Sequence, residues 1–197
     1  STMKPDVKNI AIFASGEGTN FTALTDFFKK ENLPLNVKLL VCDHAHVHVL
    51  DRAHQESVPT FVINFKDYPD KAAAETVIAQ KLADNQIDFI ILAGYMRIIG
   101  PTLLAKYEGK IINIHPALLP KFPGRHGIED AYEAGVDTTG VTVHWVDSGI
   151  DSGKIIAQQE VPVHKDDQLS DLEQRIHATE HVLYPNVVKQ LLERGEI

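Results

Sequence analysis

Hydrophobic residues along this 197-residue chain gather into short, nearly unbroken runs separated by amphipathic or polar stretches. Seven runs have the length and β-branched character of strands: residues 7–14, 37–42, 60–63, 87–93, 110–114, 140–146 and 154–161. Apolar residues recurring every three or four positions predict helices over 20–30, 47–57, 69–85 and from about 170 to 194. The chain therefore opens βαβαβαβ and belongs to the α/β class. Its early strands lack the alternation that one wet face imposes, so both faces are covered and the pairing is parallel. Right-handed crossovers then give a doubly wound, mostly parallel, Rossmann-like sheet. The length suits a single domain over 1–197, with a flexible stretch expected at 1–6.

Composition narrows the function. Lys and Arg number 19 against 27 Asp and Glu, a net charge of −8. Such a balance argues against a surface that neutralises nucleic-acid or membrane phosphates, so any anionic ligand must be held locally. Cys42, the single cysteine, lies in an apolar run and reads as a buried strand residue. Without an intrachain disulfide, and with no stretch of signal-peptide or membrane-span character, a reducing, cytoplasmic setting is expected.

Doubly wound sheets bind ligands beyond the carboxyl ends of their strands, where strand order reverses, and four segments occupy such positions. The first, Ser15-Gly16-Glu17-Gly18-Thr19-Asn20, links the opening strand to the first helix. Its backbone N–H groups and the helix N-terminus can cradle an anion. Phe21 stands where the dinucleotide fingerprint needs a third glycine, and a P-loop lysine is missing, so a phosphomonoester fits best. The same residues also suit an ordinary tight turn with Asn20 near the N-cap. Asp43, just after the second strand, could hold an NAD ribose, which keeps a nucleotide-binding module as an alternative.

The second segment delivers Asn113 and His115 two residues apart on one strand, hence to one side. An amide N–H and an imidazolium N–H aimed together stabilise an oxyanion, and the histidine can move a proton. Third is the loop Asp147-Ser148-Gly149-Ile150-Asp151-Ser152-Gly153, from which one carboxylate could approach His115 and favour its imidazolium. Spacing does not choose between Asp147 and Asp151. The fourth, Ala93-Gly94-Tyr95-Met96-Arg97-Ile98-Ile99, offers apolar walls and backbone hydrogen-bonding groups to a flat heteroaromatic ligand.

Glu180 adds a separate clue. The final helix places Leu172, Ile176, Leu183 and Val187 on one stripe, and Glu180 falls within it. A carboxylate there either reaches solvent at the stripe's edge or meets a cation, such as an ammonium on a ligand. Pro185 should bend or break the helix just beyond. His44, His46 and His48 match no zinc signature, and no metal is expected.

Taken together, residues 15–20 and 93–98, the run Asn113-Ile114-His115-Pro116-Ala117-Leu118-Leu119-Pro120-Lys121-Phe122-Pro123-Gly124, and the stretch from Gly140 to Asp151-Ser152-Gly153 resemble the 10-formyltetrahydrofolate-using formyltransferases. The glycine loop ending in Thr19-Asn20, Glu180 in Thr-Glu-His and a length without room for an added domain point, among them, to the phosphoribosylglycinamide formyltransferases of purine biosynthesis. The resemblance implies a formyltransferase fold and transfer of the formyl group of 10-formyltetrahydrofolate, as co-substrate, to the amine of glycinamide ribonucleotide.

It further implies that Asn113 and His115 face the oxyanion and that Asp151 is the catalytic carboxylate. By the same resemblance Gly18, Thr19 and Asn20 hold the ribose phosphate and Glu180 the amine. The folate is bordered by Met96, Arg97, Ile98, Ile99 and Asn113 together with Asp147, Ser148, Gly149, Ile150 and Asp151. A formyltetrahydrofolate hydrolase is the alternative within the same chemistry. The oligomeric state stays open, a homodimer included.

Overall fold

The structure, a computed structural model, describes residues 6–197; residues 1–5 of the expected flexible stretch lie outside it. The elements run β1 (Lys8–Ala14), α1 (Thr19–Lys30), β2 (Leu35–Cys42), α2 (His48–Gln55), β3 (Thr60–Val62), α3 (Lys71–Asp84) and β4 (Phe89–Leu92). There follow α4 (Pro101–Tyr107), β5 (Ile111–His115), α5 (Gly127–Ala134), β6 (Thr138–Trp145), β7 (Ile155–Pro162) and α6 (Leu169–Glu193). One seven-stranded sheet has the order β3-β2-β1-β4-β5-β6-β7. β1 to β5 pair in parallel, whereas β6 and β7 add antiparallel. Strand order reverses between β1 and β4, so the loops after these two strands flank the crevice where ligands bind in such folds.

Both sheet faces are buried, as the unalternating strands predict. Ile10 and Ile12 of β1, with Ile112 and Ile114 of β5, pack with Phe21 and Leu24 of α1 and Leu172, Ile176 and Tyr184 of α6. On the other face Ala11, Phe13, Ile90, Leu92 and Ile111 meet Ala74, Ile78 and Leu82 of α3 and Leu103 and Tyr107 of α4. Each large side chain so buried contributes about 1.5–3 kcal/mol. The buried Tyr184 hydroxyl donates to the Leu92 carbonyl at 2.6 Å and sits 3.3 Å from that of Ile112, tying α6 to β4 and β5. Cys42 is buried as expected, and burial raises its thiol pKa.

Three local readings change. Two short helices, α4 and α5, were not predicted. α4 starts with Pro101, and its N-terminal N–H groups of Gly100 and Leu103 donate to the buried Glu75 carboxylate at 2.7 and 3.2 Å, a cap supplied from α3. α1 begins at Thr19, one residue before the predicted start, with Gly18 as its N-cap at a left-handed φ of 79° and Asn20 in the first turn. Finally, α6 runs on through Pro185 instead of breaking. Tyr184, Pro185, Val187 and Val188 form one buried surface, and this packing outweighs the backbone hydrogen bond that proline removes.

Candidate active site

β5 ends at the crevice, and its two-residue period does what the sequence implies: Asn113 and His115 both border a cavity of about 700 Å³. His115 is buried. Its Nε2–H donates to the Phe122 carbonyl at 2.7 Å, because a carbonyl can only accept. Its Nδ1 lies 3.5 Å from Asp151 Oδ2, a second acceptor. An imidazolium, with a proton on each nitrogen, satisfies both neighbours.

Asp151 rather than Asp147 is the carboxylate that reaches this histidine. Asp147 instead organises its own loop, accepting from the Gly149 N–H at 2.9 Å and the Ser152 hydroxyl at 2.8 Å, and these bonds lower its pKa. Burial alone would push the Asp151 carboxyl upward. The neighbouring His144 ring, the Gly124 N–H at 2.9 Å and the nearby His115 outweigh it, leaving the carboxyl below its usual range.

His144 is the functional neighbour that sequence reasoning missed. It pairs opposite Asn113 across the antiparallel β5–β6 ladder, and its Nε2 lies 3.6 Å from Asp151 Oδ1. The His144 Nδ1–H donates to the Trp145 carbonyl at 2.8 Å, so only a proton on Nε2 can answer the carboxylate. The two histidines therefore flank Asp151 from adjacent strands. The polarity of residues 140–146 held a signal, but only strand register brings His144 to Asp151.

Met96, Arg97, Ile98 and Ile99 border the same cavity, as do Asp147, Gly149 and Ile150; Ser148 does not. Met96 and Ile98 are about half exposed, whereas Ile99 is buried in the core beside α3 and α4. Arg97 Nε donates to Asp43 Oδ2 at 2.9 Å, and its guanidinium stacks 4.0 Å over the Phe65 ring. Asp43 thus has its carboxylate buried against an arginine, which removes it from reach of a nucleotide ribose. Phe65, Lys71 and Arg125 also border the cavity and were not singled out from sequence.

A second cavity of about 370 Å³ adjoins the first, sharing Gly94, Met96, Ile114 and Pro116 with it. Gly16, Gly18, Thr19, Asn20 and Glu180 line it. α2 clamps the glycine loop: the Val49 N–H donates to Gly16 O at 2.9 Å, and Arg52 Nε to Glu17 O at 2.7 Å. A Cβ on Gly18 would lie 2.5 Å from Val49 Cγ2, so this position requires glycine for space as well as for φ. Ser15 joins the loops, its N–H donating to Gly94 O and its Oγ accepting from the Met96 N–H.

Glu180 is 5% exposed and takes the cationic option: His177 Nδ1 lies 2.9 Å from its Oε1, which also accepts from Asn20 Nδ2 at 3.5 Å. The Glu180 bond raises the His177 pKa. The buried stripe of α6 is centred on Tyr184, with Leu183 only partly buried. Among the described residues no three His, Cys, Asp or Glu side chains gather as a metal site; His48 pairs with Glu17, and His44 faces Asp43 at 3.7 Å. Nor is any described helix long and apolar enough to cross a membrane.

The arrangement therefore joins a glycine loop at the N-terminus of α1 and a buried carboxylate to a larger cavity lined by Asn113, His115 and Asp151. Comparison with known proteins agrees. The sequence model of the formyl transferase family matches residues 8–188. Phosphoribosylglycinamide formyltransferase of Bacillus subtilis is 49% identical over 96% of this chain and 99% of its own. The trifunctional purine biosynthetic protein adenosine-3 of Bos taurus is 37% identical across the whole of this chain, which spans 19% of that longer protein. The crystal structure of glycinamide ribonucleotide transformylase 1 from Geobacillus kaustophilus superposes with a TM-score of 0.92 at 56% identity, covering 94% of this chain and 99% of that one. From residues, geometry and relatives alike, the chain belongs to the formyl transferase family, in its phosphoribosylglycinamide formyltransferase branch.

Proposed function

We propose that this chain, a single formyltransferase domain over 1–197, transfers the formyl group of 10-formyltetrahydrofolate to the amine of glycinamide ribonucleotide in purine biosynthesis. The observation that carries the reading is the meeting of the two cavities at the end of β5, beside the Asn113, His115 and Asp151 cluster. The smaller cavity takes the nucleotide: Gly18, Thr19 and Asn20 hold its phosphate on backbone N–H groups, and Glu180 holds its amine. The larger takes the folate, with Met96 to Ile99 and Asn113 on one side and the loop from Asp147 to Asp151 on the other.

The amine nitrogen attacks the formyl carbon and a tetrahedral oxyanion forms. Asn113 Nδ2–H and a His115 N–H stabilise it. For Nε2–H to serve, it must exchange the Phe122 carbonyl for the oxyanion. Asp151 keeps the imidazolium charged and oriented. Collapse breaks the carbon–N10 bond, and the proton lost by the amine passes to N10, giving formylglycinamide ribonucleotide and tetrahydrofolate. No metal enters this scheme. We place the protein in the cytoplasm, in keeping with its purine-biosynthetic relatives. A homodimer is compatible with a site built from one chain.

The test of the nucleotide half is Asn20→Ala and Glu180→Gln, each assayed for both substrates. Both variants should raise KM for the nucleotide more than for the folate. Equal effects on the two substrates would contradict the assignment.

A further inference from the structure

The loop over residues 116–124 carries two backbone groups that meet the His115–Asp151 pair. The Phe122 carbonyl accepts from His115 Nε2–H at 2.7 Å, and the Gly124 N–H donates to Asp151 Oδ2 at 2.9 Å. What fixes this loop lies outside both cavities. Across the antiparallel strands β5, β6 and β7, His115 is opposite Thr142 and Thr142 is opposite Gln158, so the three form one row on one face of the sheet.

Thr142 is fully buried, whereas Gln158 is exposed on the edge strand. Its amide is nevertheless turned inward: Nε2 donates to the Leu119 carbonyl and to Thr142 Oγ1, both at 2.9 Å. Thr142 Oγ1 donates in turn to the Ala117 carbonyl at 2.7 Å and accepts from the Leu119 N–H at 3.1 Å. An amide NH2 has two protons and a hydroxyl one proton and two lone pairs, so both groups are saturated. Two positions back along β6, Gly140 leaves room for Leu118; a Cβ there would lie 2.5 Å from Leu118 Cδ2. Residues 117–119 are thus seated on β6 and β7.

We propose that Gln158 is a positioning residue for formyl transfer: through Thr142 it pins residues 117–119 and so sets where Phe122 and Gly124 meet His115 and Asp151. The inference rests on the reading of His115 and Asp151 as the groups that act in the transfer. Water would satisfy an exposed amide, and ordering a glutamine side chain costs conformational entropy. Two inward bonds therefore mark the loop as what this side chain serves.

The test is Gln158→Met in the full chain, which keeps the length of the side chain and removes its amide. Misplacing a group near the reacting centre by about 1 Å costs about 10²-fold in rate, and a loosened latch should cost less, because Phe122 and Gly124 keep their own bonds. kcat should fall about 10- to 30-fold, with KM for the nucleotide within about twofold, since neither Gln158 nor Thr142 lines a cavity. Amide exchange at Gly124 should quicken and the His115 Nε2 nitrogen resonance should move, because both report bonds that the loop delivers. Thr142→Val should reproduce these changes, whereas Thr142→Ser, which keeps the hydroxyl, should stay near the wild type. Asp167→Asn, which breaks a pair away from the site, should leave kcat and both signals unchanged.

Wild-type kcat in Gln158→Met overturns the proposal. So does a fall in kcat with the Gly124 exchange and the His115 resonance unmoved, or a matching fall in Asp167→Asn. Equal losses in Thr142→Val and Thr142→Ser would trace the effect to packing and overturn it too. No transfer by the wild type would overturn the functional reading and this one with it, whereas transfer unaffected by Gln158→Met overturns this one alone.

Discussion

His115 Nδ1 lies 3.5 Å from Asp151 Oδ2, with the other carboxylate oxygen 3.6 Å from His144 Nε2. One carboxylate thus faces two ring nitrogens from two strands, while the opposite nitrogen of each ring is turned to a backbone carbonyl. The arrangement fits a charged, oriented imidazole better than a neutral one. Chemistry that must stabilise an oxyanion and move a proton needs both properties.

Removing the oxyanion donors should therefore lower the rate more than it weakens binding. His115→Ala is expected to lower kcat by about 10³-fold or more, and Asn113→Ala by about 10²- to 10³-fold. Nucleotide affinity should change little in either variant. Single-turnover formyl transfer with separate binding measurements checks this, and near-normal turnover by His115→Ala would remove it from the mechanism.

Asp151→Asn keeps the shape and deletes the charge. Since the carboxyl is held below its usual range, it is ionised throughout the neutral region, and its loss should be felt at every working pH. A fall in kcat of about 10²- to 10⁴-fold, with a shifted acidic limb of the rate profile, is the expected result. An unchanged profile would separate Asp151 from the proton chemistry.

Asp43 acts at one remove, through Arg97. Its buried carboxylate fixes the guanidinium against Phe65, on the rim of the larger cavity. Asp43→Asn should raise KM for 10-formyltetrahydrofolate about tenfold, with a much smaller effect on KM for the nucleotide. Restoration by Asp43→Glu would support positioning; equal loss for both substrates would point to general destabilisation.

Stability offers a prediction away from the site. Arg175 pairs with Asp167 through two bonds of 2.9 and 3.0 Å and, with the His164 N–H, holds the Asp167 carboxyl at about 2. A depressed carboxyl stabilises the fold above its unfolded value of about 4, and the contribution is lost as pH falls through the folded value. The urea-midpoint difference between wild type and Asp167→Asn should thus shrink as pH drops from about 4 toward 2. A constant difference would contradict the pairing.

The parallel core was legible because its strands are apolar on both faces, and Asn113 and His115 were legible because a strand's period needs only two positions to be read. Glu180 was visible as a charge on an apolar helical stripe. α4 was not, since its cap comes from Glu75, 25 residues earlier, instead of from its own sequence. α5 is eight residues long and begins at a glycine, too brief for a periodic signal despite the left-handed Gly135 that ends it. His144 and the Asp43–Arg97 pair depend on register and on contacts between distant segments, which local pattern does not encode.

The central claim is tested most directly by mixing the purified protein with 10-formyltetrahydrofolate, with and without glycinamide ribonucleotide, and following tetrahydrofolate and free formate together. Tetrahydrofolate should appear only with the nucleotide present, and without formate. Formate released in its absence would instead make the protein a hydrolase, and no turnover in either mixture would contradict the assignment of an active transferase.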